Sequence, residues 1–318
     1  MKNFDVFLSE TSSHRPEFLN LIEQTGKVHG ELREQLKSES SIWDEKFFLL
    51  DKSSTWKSID HRTKESILIS LGKKILQEAY YIESAGMAYS GKMILTSKTK
   101  EERQFYCFVA EEEARHLRLL ETIGEFKTGP LDVPSFASLI GEIIQESSRK
   151  CHFLLIQVLL EGWGLDYYKD LSQSALNENV AKAFKQILKD EIRHHSAGVI
   201  LFSESSQMSE VEFMEFLKFL ERISVMVKIG PYSVCEELFS HIPNPDLKMV
   251  RELLFETGAV TQTEKKLNLI RDLLEKVLSE KEMEIITLKK ILEPMDIDSM
   301  ADFLYQSIPG TYLHHPIH

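Results

Sequence analysis

Two five-residue stretches carry most of the chain's chemical information: EEARH at Glu112–His116 and DEIRH at Asp190–His194. Each reads acid, Glu, any residue, Arg, His. Each Glu also stands thirty positions after another Glu in an apolar segment (83 to 113, and 161 to 191). Carboxylates bridge hard divalent ions and cancel their charge, and one imidazole per ion adds a nitrogen donor suited to iron. Glu83, Glu113, His116, Glu161, Glu191 and His194 are therefore read as the ligands, and the catalytic set, of a two-metal centre. A lone Glu-x-x-His is weak, because solvated helix faces carry many. Two in one frame, each with the same partner at the same separation, are specific.

The spacing states what must hold these residues. Residues three apart on an α-helix lie about 60° from each other round the axis, so Glu113/His116 and Glu191/His194 each share a face. A separation of thirty fits a helical hairpin. Thr96-Ser97-Lys98-Thr99 reads as the turn of the first, with a Ser/Thr cap. Thirteen residues out and about as many back are each ~20 Å of helix, which returns the second Glu to the level of the first. Ser174-Ala175-Leu176-Asn177 reads as the turn of the second hairpin, with Asn177 as cap. The expected helices run over about His61–Leu95, Lys100–Gly124, Arg149–Leu171 and Asn179–Ser203.

Neighbours of the six follow from the same geometry. Glu112 and Asp190 are expected to accept the second ring N–H of the His on the opposing helix, with Arg115 and Arg193 balancing charge. Tyr80, Tyr106 and Tyr168 share a face with a ligand Glu and default to core packing. Tyr80, Gly86, Met87, Tyr106, Gly164 and Leu165 are the candidate pocket residues. Gly162 and Gly164 are unfavourable in mid-helix by about 1 kcal/mol each against Ala, so they point to close backbone approach, a bulge or cavity space. His195 lies about 100° round from His194 and reads as structural.

The rest of the chain divides around these helices. Residues 1–60 read as an N-terminal helical segment packing on the bundle, with one or two helices, about Pro16–Lys37 and a shorter second one, and Trp43, Phe47, Phe48 and Trp56 as anchors. Residues 61–204 form the two-metal bundle. Gly129-Pro130 and Pro134 break the pattern after Gly124, and the stretch to Ser148 must climb back as a crossover, helical over Phe136–Glu146. Residues 205–318 read as a C-terminal helical extension. Its helical patterns include Glu210–Lys228, Pro231–Ser240, Leu247–Phe255 and Glu264–Leu292, and the terminal Leu313–His318 reads as a tail.

Composition excludes several classes. A net charge of −12 argues against nucleic-acid binding, and 42% hydrophobic with 28% charged residues is ordinary for a globular protein. The apolar run Phe153–Leu165 contains Gln157 and Glu161 and is too short to span a bilayer. Cys107, Cys151 and Cys235 form neither a disulfide framework nor CxxC, and the N-terminus lacks the apolar core of a signal peptide, so a cytoplasmic location is expected.

The paired Glu…Glu-x-x-His motif over roughly Ile67–Phe202 resembles the ferritin-like diiron-carboxylate superfamily. Its (Asp/Glu)-Glu-x-Arg-His form looks most like the oxygen-activating branch, such as the bacterial multicomponent monooxygenase hydroxylases. The resemblance implies an all-α fold: a ferritin-like four-helix bundle with a long crossover, plus additional N- and C-terminal helices. It implies two Fe ions as cofactor, O2 as co-substrate, and Glu113 and Glu191 as bridging ligands. Ligand type alone leaves manganese or a mixed Mn/Fe pair open. The function expected is a diiron oxygenase or oxidase that hydroxylates, desaturates or oxidatively cleaves a small or medium organic substrate. The chain has no flavin or iron–sulfur motif, so an external ferredoxin or reductase is the expected electron donor, and a homodimer the assembly to test for. The alternative is a ferroxidase or iron-handling protein, or a rubrerythrin-like peroxide-reducing one.

Overall fold

Apolar residues recurring at three- and four-residue steps fold as helices throughout, and among the described residues there is no strand. The computed structural model describes residues 41–124, 133–205 and 207–308. The expected helix over Pro16–Lys37, the Gly129-Pro130 break and the tail at Leu313–His318 lie outside them. After a 3-10 turn at Leu50–Lys52 come α1 (Ser54–Ser58), α2 (His61–Thr96), α3 (Lys100–Gly124) and α4 (Ser135–Glu146). Next, α5 (Arg149–His152) leads into a π-helical segment, Phe153–Glu161, which continues as α6 (Gly162–Ser174). The chain then forms α7 (Glu178–Glu204), α8 (Glu210–Lys228), α9 (Tyr232–Ser240), α10 (Leu247–Thr257), α11 (Ala259–Glu275), α12 (Glu280–Leu288) and α13 (Ile297–Ser307).

Local chemistry sets the boundaries. Asp60 accepts from Thr63 N at the start of α2, and Glu102 N donates to Thr99 Oγ1 at the start of α3. Asn177 caps α7 by accepting from the backbone of Asn179 and Val180. Capping boxes Ser209/Glu212 and Ser279/Glu282 open α8 and α12. The second box corrects one expectation. The pattern over Glu264–Leu292 is two helices, because Ser279 starts a new one after α11 ends at Glu275.

The third bundle helix also differs from the regular helix expected over Arg149–Leu171. It bonds in the π pattern from Phe153 to Glu161 before returning to α at Gly162. A π stretch is rare and gathers at functional sites, and this one ends on a candidate ligand. Of the two glycines here, Gly162 is a close approach: a Cβ would stand 2.8 Å from the His195 ring. Gly164 faces nothing within 4 Å.

Helices α2 and α3 pack as one hairpin, α6 and α7 as the other, and α3 touches α7. Helix α4, the helical part of the crossover, lies on α2 and α8. Three apolar clusters fill the interior. One joins Ala85, Tyr89 and Met93 of α2, Tyr106 and Val109 of α3, the π segment, and residues of α4, α8 and α11. A second joins Leu76 and Ala79, Leu119, Leu120 and Ile123, Tyr168 and Leu171, and Val180–Ile187 with Trp43. There the Trp43 indole donates to the Leu171 carbonyl at 3.1 Å, which ties the described residues just ahead of α1 to the bundle. The third sits between α1, the start of α2, α9, α10 and α13. No helix among the described residues is long and apolar enough to cross a membrane.

Candidate metal centre

The six candidate ligands occupy the layer between the first two clusters. On α2, Glu83 separates Ala79 from Ala85; on α3, Glu113 and His116 separate Val109 from Leu119. Glu161 lies between Leu159 and Tyr168, and Glu191 and His194 lie between Ile187 and Phe202. Two antiparallel hairpins with thirty-residue spacing bring the four Glu residues to one level.

The ligand atoms fall into two overlapping groups. Glu83, Glu113, His116 and Glu191 each offer one atom within 4.8 Å of the others, and so do Glu161, Glu191 and His194. His116 Nδ1 is 2.9 Å from Glu83 Oε2 and 3.6 Å from both Glu113 Oε2 and Glu191 Oε1. His194 Nδ1 is 3.4 Å from Glu113 Oε1 and 3.5 Å from Glu191 Oε1. Glu113 and Glu191 thus each reach both imidazoles, the placement a bridging carboxylate needs.

Both rings turn Nδ1 inward and Nε2 outward. His116 Nε2 donates to Asp190 Oδ2 at 3.1 Å, and His194 Nε2 donates to Glu112 Oε2 at 2.8 Å. Each acid therefore serves the His of the opposite helix. Facing a carboxylate fixes the proton on Nε2 and leaves the Nδ1 lone pair for a metal once the ring is neutral. Arg115 donates to Asp190 at 3.1 Å, Arg193 bonds both Asp190 and Glu112, and Gln186 adds two contacts to Asp190.

The electrostatics describe a cluster short of positive charge. Burial and the neighbouring Glu83 and Glu191 push the Glu113 carboxyl well above the carboxylate range. Burial does the same to Glu161. Burial also opposes charge on His194, yet Glu112, Glu191 and Glu113 outweigh it and push the ring up to about 12. His116 is raised in the same way against its own burial, chiefly by Glu83. Protons here fill the role of cations. Glu161 Oε2, Glu191 Oε1 and His194 Nδ1 are inaccessible and have no hydrogen-bond partner. Orphaned buried polar atoms are costly. Three of them converging among hard oxygen donors and two imidazoles fit a pair of divalent ions.

Other residues meet this layer. The Tyr168 hydroxyl donates to Glu83 Oε1, so this tyrosine holds a candidate ligand besides packing against Phe184. Gly86 leaves room for Glu113, because a Cβ there would stand 2.8 Å from the carboxyl carbon. The candidate pocket residues do not gather on one wall. Tyr80 packs on the cluster around Trp43, whereas Tyr106 is enclosed in the other cluster and donates to Gln157 Oε1 at 2.7 Å. Their helices run in opposite directions, so positions preceding each Glu diverge from the ligand layer. Met87, Gly164 and Leu165 are half-buried. Gln157 and the contact made by His195 carried no pattern-level signal beyond one amide in an otherwise apolar run.

Residues 69–204 match the family model described as a ferritin-like domain. No curated protein and no solved structure gave a match.

Proposed function

With a ferritin-like domain over residues 69–204 as the premise, we propose that the chain is a non-haem diiron enzyme that activates O2 to oxidise a small or medium organic molecule. The observation that carries this reading is the pair of ligand groups sharing Glu191, set between two apolar clusters. Sealing a reactive centre from water strengthens its electrostatics and suppresses side reactions, a need of substrate oxidation more than of bulk iron storage.

Each residue then has a task. Glu83, Glu113, His116 and Glu191 hold one ion, and Glu161, Glu191 and His194 hold the other, with Glu113 able to serve both. Bound at these residues, two ferrous ions would supply the electrons that reduction of dioxygen needs. Asp190 and Glu112 orient the imidazoles and keep their Nε2 protons in place. Tyr168 fixes one oxygen of Glu83. Glu113 and Glu161, whose carboxyls favour the protonated form before metal enters, release protons as ions bind. Electrons for further turnover come from an external ferredoxin or reductase, and a cytoplasmic setting suits the free thiols Cys107, Cys151 and Cys235.

Anaerobic loading with Fe(II), followed by O2, tests the reading by metal analysis, Mössbauer spectroscopy and oxygen uptake. Two irons per chain and O2 uptake that stops once those irons are oxidised are the expected result. Far more than two irons per chain, laid down as ferric mineral, would replace oxygenase by ferroxidase. Equal iron retention by the wild type and Glu113→Ala would remove the metal site altogether.

A further inference from the structure

Gln157 sits inside the π-helical segment, fully buried, and exchanges bonds in several directions. Its Oε1 accepts from the Tyr89 hydroxyl at 3.0 Å and the Tyr106 hydroxyl at 2.7 Å. Its Nε2 donates to the backbone carbonyl of His194 at 3.1 Å. Its own carbonyl lies 2.9 Å from His195 Nδ1, which must donate there because a carbonyl only accepts. One residue of the π segment is thus tied to both His194 and His195. Gly198 completes the contact: a Cβ there would stand 2.2 Å from Gln157 Cβ, so the two backbones meet closely.

Glu161 is four residues beyond Gln157, and the next residue, Gly162, lies so near the His195 ring that an added Cβ would stand 2.8 Å from it. The brace therefore spans the segment that carries Glu161 and ties it to the helix that carries His194. Of the ligands it spans, Glu161 is the one that no neighbouring side chain holds. In the first group, Tyr168 and His116 hold Glu83, and Asp190 holds His116. In the second, Glu112 holds the outward Nε2 of His194, but Glu161 Oε2 and the inward Nδ1 of His194 have no partner. The position of Glu161 relative to His194 therefore depends on the backbone ties from Gln157 to His194 and His195.

We propose that Gln157 and His195 are positioning residues that set Glu161 against His194 and so govern binding of the second metal ion, the one held by Glu161, Glu191 and His194. The inference rests on the two-metal reading. A purely structural amide would stabilise the fold and treat both ions alike. A positioning residue acts on the second ion and spares the first. Partners that orient metal ligands typically change affinity about 10–100-fold when removed.

The test is an anaerobic titration of the full chain with Co(II), followed calorimetrically and by visible absorption, for wild type, Gln157→Leu, His195→Ala and His195→Gln. The expected result is two ions for the wild type. Gln157→Leu and His195→Ala should keep the first ion at its wild-type affinity and bind the second about 10–100-fold more weakly. His195→Gln, which retains a donor for the Gln157 carbonyl, should recover most of the loss. If Gln157→Leu fails to fold by circular dichroism, the two His195 variants decide. Wild-type affinity for the second ion in His195→Ala, or equal weakening of both ions, overturns the proposal while leaving the two-metal reading in place. A wild type that binds no ion removes that reading, and this inference with it.

Discussion

Buried imidazoles in this chain take opposite protonation states, according to what faces them. His194 meets carboxylates and is pushed up to about 12, whereas burial, with Lys92 and Arg149 nearby, drops His152 from 6.5 to about 4. His152 Nε2 donates to the carbonyls of Ile143 and Ile144, so the neutral ring is well served. Between pH 6.5 and 4 the unfolded chain takes up a proton there that the folded chain refuses. Stability then falls with falling pH, by roughly 3 kcal/mol over that window. Urea unfolding of His152→Gln should show a correspondingly shallower loss than wild type from pH 6.5 to 4; parallel profiles would refute it. Gly86 acts on the centre by what it lacks. Gly86→Ala drives a methyl into the Glu113 carboxylate, and we expect metal affinity to fall about tenfold or more in a direct titration.

At the scale of elements, the packing of α7 on the π segment is the contact to probe. Gly198 is a poor helix residue by about 1 kcal/mol against Ala, so replacement gains propensity and loses the close approach to Gln157. Overpacking typically costs about 1–3 kcal/mol, and a 2.2 Å approach to Gln157 Cβ, with its backbone carbon at 3.2 Å, leaves little room to relax. Gly198→Ala should therefore destabilise the chain in denaturant unfolding. Gly164→Ala, which meets nothing within 4 Å, should stabilise it slightly. If both move the same way, the close approach is not what keeps Gly198.

For the whole molecule, the centre links folding to metal. Four carboxylates and two imidazoles converge in one layer, and an ion that binds only the folded chain stabilises it by about 2.7 kcal/mol at a free concentration of 100 Kd. Thermal melts with Fe(II), or with a chelator, should differ for wild type and coincide for Glu113→Ala. The shift should shrink as pH falls, because the ions displace protons from His116, His194, Glu113 and Glu161, all raised before metal enters. A shift that grows with acid would contradict that order.

The sequence by itself determined the helical class, the two hairpins, the level of the four Glu residues and the acids that meet the opposing imidazoles. These follow from periodicity, turn chemistry and a fixed rise per residue, all local quantities. It left the pattern over Glu264–Leu292 as one run, since the apolar spacing continues across the Ser279 cap that the structure shows. Only the tertiary structure decided the π bonding from Phe153 to Glu161, the close seat of Gly198 and the tie from Gln157 to His194 and His195. It also decided that Tyr80 and Tyr106 lie on opposite sides of the ligand layer. Those features depend on which helix comes to stand against which, and on contacts between residues far apart in the chain that no local spacing encodes.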